Sequence, residues 1–321
     1  MANSHDPVAE LITTYNELNS PTITELDSEP SPLEFMRFVA RNTPFVIRGG
    51  AAEWKATRTW SAEFLRSHLG NEPVNVAVTP LGNADAPTLH NNSLVFAKPH
   101  EEDQPFSSFL DYIIAQERES PTSPSEIRYA QTQNDNLRTE YPSLFTHVPP
   151  TIPFARIALD QSPDAINLWI GNSQSVTALH KDNYENIYVQ ILGQKQFVLL
   201  PPHCQPCVNE QLLRPATYQR NSGNLELELE DGDDVPFAIW DPDRPGERGT
   251  EYSALVEPVR VTLKEGDMLY LPAMWYHKVS QSCGDEGICV AVNYWYDMDF
   301  TGPLYPFSNF VRAVNAEKNK A

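Results

Sequence analysis

The second half of the chain is a series of short apolar segments separated by Gly, Pro and Asn residues, and this pattern limits the fold more than any other feature. From about Ala165 onward the segments follow one another closely, and each is short for a helix. Several short strands with turn residues between them are typical of an antiparallel barrel or jelly roll. The predicted strands cover residues 165–170, 175–180, 186–192, 196–200, 259–263, 268–271, 277–281 and 288–296.

The first half of the chain mixes helix and strand signals. The stretch Ser31 to Glu34 combines an N-cap serine, a proline at the first helical position and a glutamate three residues after the cap, which predicts a helix start. Further helices are predicted from Ser61 to Leu69 and from Phe106 to Glu117, where apolar residues recur at helical spacing. The expected division of the chain is a polar N-terminal arm (1–30), an N-terminal α/β region that packs on the core (31–155), a β core (156–300) and a C-terminal helical segment (301–321).

A stretch rich in proline and acidic residues, about residues 201–258, separates the two sets of core strands and predicts an acidic insertion. Within it, Leu225 to Asp231 alternates apolar and acidic residues, so one face of a strand there can be apolar and the other acidic. Two interpretations stay open. The segment is either a solvated edge strand that its charges protect from pairing, or an acidic rim that attracts a basic substrate.

The charge of the chain restricts its partners. It has 23 Lys and Arg residues against 43 Asp and Glu residues, which gives a formal net charge of −20. Contact with phosphates needs a basic surface, so we expect no nucleic-acid partner, and a basic partner such as a lysine-rich peptide fits better. No apolar run approaches the roughly 18 residues of a membrane span, and the N-terminus has no basic segment followed by an apolar one. We therefore expect neither a membrane association nor a secretory signal.

The four cysteines are too few for a disulfide scaffold and predict a reducing compartment, namely the cytoplasm and also the nucleus. They could in principle form a zinc site, because Cys204 and Cys207 have the Cys-x-x-Cys spacing. The other two, Cys283 and Cys289, are spaced irregularly, and the first pair follows two prolines in a predicted loop. This arrangement disfavours structural zinc.

His180 and Asp182 form the most informative polar pair in the sequence. On a strand, residues two apart point to the same face, so both side chains can reach one point. His277 lies on a later predicted strand and is the candidate third ligand. Two imidazoles and one carboxylate on one face of a metal leave positions open, as in the non-haem Fe(II) oxygenases. A His-x-Asp pair also arises by chance, so the prediction depends on its context.

Two stretches around these residues, His180 to Lys195 and Gly266 to His277, resemble the two metal-binding strands of the JmjC (jumonji-C) family. The resemblance continues in the same order over most of the chain, from about Pro32 to Met298. It implies a mainly β fold with a double-stranded β-helix, or cupin-like jelly roll, at its core. The other segments that resemble the family are residues 76–80 with 84–85, 164–169, 215–218 and 291–298.

The resemblance also implies a binding site for 2-oxoglutarate. In the family a lysine on a strand after the His-x-Asp pair holds the distal carboxylate, and Lys195 has that position here. A buried lysine needs a counter-charge, which this carboxylate supplies. Thr177 can donate its hydroxyl to the same carboxylate, Tyr129 resembles the phenol that completes the site, and Asn186 and Asn293 resemble amides that orient the co-substrate and the metal ligands. Each also has an ordinary explanation, as a hairpin lysine or a polar strand residue.

The activity that the resemblance implies is that of an oxygenase that uses Fe(II), 2-oxoglutarate and O2 and releases succinate and CO2. The likeness is strongest to family members that hydroxylate lysine. The implied substrate is therefore a protein that presents a lysine, with a translation-associated GTPase as the family precedent. Asp85 and Glu185 are candidates to hold the lysine ammonium. Analogy with related hydroxylases adds a homodimer formed through the C-terminal segment.

Two alternatives stay open. Demethylation of N-methyl-lysine on histones uses the same metal site, so the motifs do not distinguish it from hydroxylation. A non-catalytic JmjC-fold binding module would be free to lose the metal and co-substrate residues, yet all of them are present. Nothing in the chain singles out a base for a peptidase. The absence of a glycine-rich phosphate loop and of a Gly-x-Ser-x-Gly elbow removes the kinase, GTPase and serine-hydrolase classes.

Overall fold

The computed structural model describes residues 6–118 and 126–318. Helices and strands alternate in the first half. In chain order they are α1 (Pro7–Leu18), β1 (Thr24–Leu26), α2 (Pro32–Arg41), β2 (Phe45–Ile47), α3 (Lys55–Thr59), α4 (Ala62–Leu69), β3 (Pro73–Thr79), β4 (Ala86–His90), β5 (Ser93–Lys98), β6 (His100–Pro105), α5 (Phe106–Arg118), β7 (Ile127–Tyr129), α6 (Asn136–Thr139), α7 (Pro142–Phe145) and α8 (Pro153–Leu159).

Strands dominate the second half. In chain order the elements are β8 (Ala165–Gly171), β9 (Thr177–His180), β10 (Tyr184–Leu192), β11 (Gln194–Leu200), β12 (Glu210–Asn221), β13 (Asn224–Leu229), β14 (Val235–Ala238), β15 (Val259–Leu263), β16 (Met268–Leu271), β17 (Tyr276–Ser282), β18 (Cys289–Asp297) and α9 (Leu304–Lys318). Two short 3₁₀ segments lie at Pro202–Cys207 and Ser253–Leu255.

The predicted helices form where their capping residues stand. The Ser31 hydroxyl accepts the backbone N–H of Glu34 at 3.2 Å, and the Ser61 hydroxyl accepts the backbone N–H of Phe64 at 3.0 Å. Each serine thereby satisfies one of the N–H groups that have no partner inside the helix. Helices α4 and α5 lie within one residue of their predicted bounds, α2 begins directly after its predicted cap, and α9 lies inside the predicted C-terminal segment 301–321.

Eight strands, β8 to β11 and β15 to β18, form the core as two facing sheets, and β1 and β2 extend the larger sheet. The large sheet has the order β1-β2-β16-β10-β18-β8, and the small sheet has the order β15-β11-β17-β9. Apart from β11 and β15, which pair with each other, successive core strands change sheet along the chain, which is the topology of a jelly roll. The predicted fold class, a mainly β double-stranded β-helix with an α/β region before it and a helix after it, is confirmed.

The large sheet is buried on both faces. Ile187 and Val189 of β10 pack with the helices of the first half, while Tyr188 between them packs with residues of the small sheet such as Phe197. This explains why β10 and β18 read as nearly continuous apolar runs instead of alternating, since both faces exclude water. The space between the two sheets is where the polar residues of the core strands converge.

The acidic insertion carries strands that the sequence only partly predicted. Strand β12 was not predicted; it joins β5, β4 and β13 in an accessory sheet with the order β13-β12-β5-β4, and β14 pairs with β12 as well. Strand β13 lies at the edge of this sheet, with Glu226 and Glu228 exposed. The interpretation of this segment as a charged edge strand is therefore confirmed. A third sheet, β6-β3-β7, lies beside the core.

None of the helices in the described part of the chain is long and apolar enough to cross a membrane. The boundaries of the four regions stay a prediction. Residues 7–18 of the expected polar arm form helix α1, whose Val8 and Ile12 pack against the 3₁₀ segment Pro202–Cys207 and its neighbours.

Candidate active site

Three side chains that could ligate a metal meet at one end of the small sheet. Nε2 of His180 lies 3.7 Å from Oδ2 of Asp182, and Nε2 of His277 lies 3.6 Å from the same oxygen. One ligand atom of each residue lies within 4.8 Å of the others. The 3.7 and 3.6 Å separations are shorter than twice the roughly 2.0–2.2 Å typical of nitrogen and oxygen ligands, so one ion can contact the carboxylate together with each imidazole. The structure thus brings together the three residues that the sequence predicted as ligands.

A β-bulge places the triad and Thr177 on the same cavity. His180 pairs with His277 across the β9–β17 ladder, and Thr177 pairs with Val279. Three residues of β9 therefore span what two residues of β17 span, and this extra residue shifts the alternation. As a result Thr177 and His180, three apart in sequence, both face the cavity. The backbone carbonyl of Asp182 accepts the N–H of Met274 at 2.7 Å, and this hydrogen bond fixes the backbone of Asp182.

The hydrogen bonds of the two histidines suit metal binding. Nδ1 of His180 lies 2.8 Å from the Ala178 carbonyl, and Nδ1 of His277 lies 3.1 Å from the Trp275 carbonyl. A carbonyl only accepts, so each Nδ1 carries a hydrogen, and each Nε2 is the nitrogen that faces Asp182 and can bind a metal. Burial lowers the pKa of His277 to about 4, and the neighbouring His180 acts in the same direction. The charge of Asp182 opposes this shift without cancelling it. The neutral imidazole is the form that binds a metal, and the donor set therefore fits one.

A cavity of about 390 Å3 extends from the triad into the space between the sheets. Its deep end, which we call the cavity floor, is formed by buried residues of the core strands and of β7. All eight residues that the sequence predicted for the metal and co-substrate line the cavity: Tyr129, Thr177, His180, Asp182, Asn186, Lys195, His277 and Asn293.

Lys195 on β11 is the charged group of the cavity floor. It is 2% exposed, and its Nζ donates to the Tyr129 hydroxyl at 3.0 Å and to Oε1 of Gln281 at 2.7 Å. Burial acts to lower the pKa of Lys195, but the phenol oxygens of Tyr129 and Tyr188 hold it above its ordinary value. Among the described residues no carboxylate lies within ion-pair distance of this ammonium. A buried charge without a counter-charge is costly, so the floor is suited to an anionic ligand.

The two predicted asparagines belong to one chain of hydrogen bonds. The amide of Asn293 donates to Oδ1 of Asn186 at 3.2 Å, and its own oxygen accepts the indole N–H of Trp169 at 2.9 Å. Asn186 and Asn293 lie on the paired strands β10 and β18. Their side chains are therefore held in one orientation along the cavity wall.

The outer part of the cavity, which we call the cavity mouth, comes from outside the core strands. It is lined by Asp85, Gln131, Phe96 and Phe237. All four are only half-buried. The rings of Phe96 and Phe237 lie 5.1 Å apart at 40°, one from β5 and one from β14.

The structure separates the two acids that the sequence proposed for a substrate lysine. Asp85 lines the cavity. Glu185 does not: it follows Tyr184 on the opposite side of β10 from Asn186, and its carboxylate accepts the Tyr270 hydroxyl at 2.6 Å and the Ala273 N–H at 3.2 Å. The candidate Glu185 was wrong, because the alternation of a strand sends neighbouring residues to opposite faces.

Comparison with known proteins agrees with this geometry. A family profile described as a cupin-like domain matches residues 30–302. A human protein named bifunctional peptidase and (3S)-lysyl hydroxylase JMJD7 is 39% identical over 279 residues, which cover 86% of this chain and 84% of that protein. The chain belongs to the cupin-like JmjC family.

Two further relatives are similar over nearly the same length. The Arabidopsis thaliana protein named lysine-specific demethylase JMJ32 is 37% identical over 305 residues, or 91% of this chain and 86% of that protein. The Dictyostelium discoideum protein named JmjC domain-containing protein E is 32% identical over 308 residues, or 88% and 86%. The chain is thus an enzyme, one of the JmjC dioxygenases. Members of this family depend on Fe(II) and 2-oxoglutarate, and the triad provides a place where a metal fits.

Several residues of this JmjC cavity were not predicted. Gln281 accepts from Lys195, and its amide also donates to the Asn172 carbonyl at 2.7 Å. It stands directly opposite Lys195 in the β11–β17 ladder, a pairing that no short sequence motif reports. Phe96 and Phe237 were missed because they lie on accessory strands of which one was not predicted at all. Only the register of the sheets brings them to the cavity.

The cysteines do not form a shared cluster in the part of the chain that the structure describes. Cys204 and Cys207 are buried together in the 3₁₀ segment, whereas Cys283 and Cys289 lie near the ends of β17 and β18. All four are free thiols. The triad is the one group of potential metal ligands found among the described residues, in line with the expectation against structural zinc.

Proposed function

We propose that the chain is an Fe(II)- and 2-oxoglutarate-dependent protein lysyl hydroxylase. One observation carries this proposal. A triad of two imidazoles and a carboxylate shares a single cavity with the buried ammonium of Lys195, which forms no ion pair with a described carboxylate. The first suits a metal with open positions, and the second suits the far carboxylate of a dicarboxylic co-substrate.

Each residue then has a defined task. His180, Asp182 and His277 would hold Fe(II), which when bound supplies the activation of O2. The Lys195 ammonium binds the distal carboxylate of 2-oxoglutarate, with the hydroxyls of Tyr129 and Thr177 on the same wall as further donors.

The rest of the cavity orients the reactants and limits water. Asn186 and Asn293, fixed by their hydrogen bond, present amides beside the co-substrate. The buried position of the floor keeps solvent from the reacting groups. The overall reaction consumes one O2 and one 2-oxoglutarate. One oxygen atom enters the substrate C–H bond as a hydroxyl and the other enters succinate, with loss of CO2.

The proposed substrate is a lysine of a protein. The human relative is named for lysyl hydroxylation, and a chain of net charge −20 suits a basic partner. A translation-associated GTPase remains the proposed target by family precedent. A reducing compartment, cytoplasm and nucleus, and a homodimer through α9 also remain proposals.

Product analysis by mass spectrometry tests this function. The protein would be incubated with Fe(II), 2-oxoglutarate and ascorbate, and with unmodified lysine peptides from GTPases or N-methylated histone peptides. We expect a gain of one oxygen on an unmodified lysine that requires 2-oxoglutarate and disappears with Asp182→Ala. Succinate should form in step with the hydroxylated lysine.

Demethylation is the second candidate, because the Arabidopsis relative is named for it. Loss of a methyl group from the histone set, with no oxygen gained on lysine, would assign that reaction instead. A third incubation would omit 2-oxoglutarate. Cleaved peptides in that incubation would indicate the peptidase activity for which the human relative is also named. No succinate with either set would favour the non-catalytic binding module.

A further inference from the structure

Asp85 is held against the active site by a loop that needs a glycine. The carbonyl of Gly82 accepts the N–H of Val176, just before β9, at 2.8 Å. Gly82 has a positive φ of 69°, and a Cβ there would lie 2.1 Å from the Gln174 carbonyl oxygen. Only a residue without a side chain permits this approach. The contact brings the loop, and with it Asp85, to the strand that carries His180.

The carboxylate of Asp85 has no cationic partner among the residues that the structure describes. Gln131 is its hydrogen-bond partner, with the amide 3.4 Å from Oδ2. The nearby ammonium of Lys98 forms an ion pair with the carboxylate of Glu230 at 2.7 Å. Burial is the largest influence on the pKa of Asp85 and raises it. A partly buried carboxylate that forms an ion pair with none of the described cations is suited to a cation from outside.

The cavity mouth also carries an aromatic pair. Phe96 and Phe237 come from the strands β5 and β14, both of which pair with β12, and they line the same cavity as Asp85. A cavity lined by an aromatic pair and a carboxylate matches a lysine side chain, which has an apolar stem and a charged tip.

A second polar group of the cavity, the indole of Trp295, lacks a hydrogen-bond acceptor among the described residues. The Trp295 side chain is only 7% exposed. The ring lines the cavity and stacks on Tyr184, with centroids 4.7 Å apart and planes within 1°. A buried donor without an acceptor is costly, and a peptide carbonyl of a bound substrate would satisfy it.

We propose that Asp85 binds the ammonium of an unmodified substrate lysine, with the Phe96–Phe237 pair against its methylene stem and the Trp295 N–H on a substrate carbonyl. Asp85 is thereby a specificity-determining residue. An unmethylated ammonium offers three N–H donors to Asp85 and Gln131, whereas each N-methyl group replaces one of them and trimethylation removes all three. This inference rests on the proposed function, since it names the form of lysine that the same site accepts.

The test is a comparison of two ligands on one protein. The chain would be loaded with Mn²⁺ and 2-oxoglutarate, so that binding is measured without turnover. Nα-acetyl-lysine methylamide and its norleucine counterpart, which has the same stem without the ammonium, would be titrated by calorimetry. We expect the wild-type protein to prefer lysine by about tenfold and Asp85→Asn to show a ratio near one. Because the ratio compares ligands on the same variant, a loss of folded protein cancels.

Asparagine is the right replacement, because Asp85 has a φ of 53° and asparagine tolerates that conformation. Asp111→Asn is the matched control: it makes the same replacement at an exposed residue of α5 that does not line the cavity. We expect Asp111→Asn to keep the lysine preference.

Three results would overturn the proposal. They are equal or absent binding of both ligands to the wild-type protein, a lysine preference that survives Asp85→Asn, and tighter binding of the Nε-trimethyl-lysine derivative than of lysine. None of these readouts requires hydroxylation. If lysine preference depends on Asp85 but no oxygen is gained, the binding inference stands and the proposed reaction fails.

Discussion

The cavity floor and the cavity mouth belong to one cavity but are built in different ways. The floor consists of buried side chains on paired core strands, such as Lys195 opposite Gln281 and Asn293 beside Asn186. The mouth consists of half-buried side chains on a loop and on accessory strands. Ladder hydrogen bonds on both sides of a strand fix its side chains more tightly than a loop anchored at one point does.

This difference assigns separate tasks to the two regions. The floor and the triad beside it hold the proposed ligands of the metal and the co-substrate, which do not depend on the substrate protein. The mouth holds a carboxylate and an aromatic pair, which we propose contact the variable substrate. Changes in the floor should therefore affect every substrate, whereas changes in the mouth should affect the choice among them.

Replacement of a triad residue should have the largest effect. Loss of a group around a metal ligand typically costs 10–100-fold, so we expect Asp182→Ala to lower succinate formation on the order of 1,000-fold or more. Circular dichroism should show an unchanged fold, and metal analysis should show reduced iron content. The matched control Asp111→Ala removes an exposed carboxylate of α5. Normal turnover and normal iron content in Asp182→Ala would show that the ligands are misassigned.

Replacement of Lys195 should have the next largest effect, and on the co-substrate alone. Lys195→Met removes a charge-assisted contact, so we expect the KM for 2-oxoglutarate to rise about 100-fold. Without 2-oxoglutarate, the Tm should stay equal or rise, because the variant no longer buries an ammonium that lacks a carboxylate partner.

Lys278 provides the contrasting control. It lies on β17 next to His277, but its ammonium pairs with Asp241 at 2.8 Å and Asp243 at 2.7 Å. Lys278→Met should lower the Tm and leave the KM for 2-oxoglutarate unchanged. The comparison of floor and mouth would break down if Lys195→Met lowered the Tm as Lys278→Met does and left the KM unchanged.

Truncation in the mouth should have the smallest effect. An aromatic pair contributes modestly beyond its buried area, so Phe237→Ala should raise the KM for a lysine peptide about fivefold. The KM for 2-oxoglutarate should not move, because Phe237 lies on the accessory strand β14 and makes no hydrogen bond to the co-substrate residues. Phe310→Ala, on the exposed face of α9, is the control of the same residue type. A rise in both KM values for Phe237→Ala would mean that the mouth and the floor are one unit.

The sequence alone determined the core fold and the chemistry at its centre. Short strands with turn residues between them predict a jelly roll, and the spacing of His180 and Asp182 predicts two ligands close together, which lie at the last residue of β9 and two residues beyond it. These features are local, since strand alternation and turn residues act over a few positions. For the same reason the capped helices begin where Ser31 and Ser61 stand.

The tertiary structure alone decided which residues surround that centre. The sequence offered Asp85 and Glu185 equally for a substrate ammonium, and the direction of one strand placed Glu185 elsewhere. Gln281 and Phe237 reach the cavity through pairings between segments far apart in the chain. Register is set by how whole sheets bury their apolar faces. A local pattern therefore predicts that a site exists, while the packing of distant strands decides what the site can recognise.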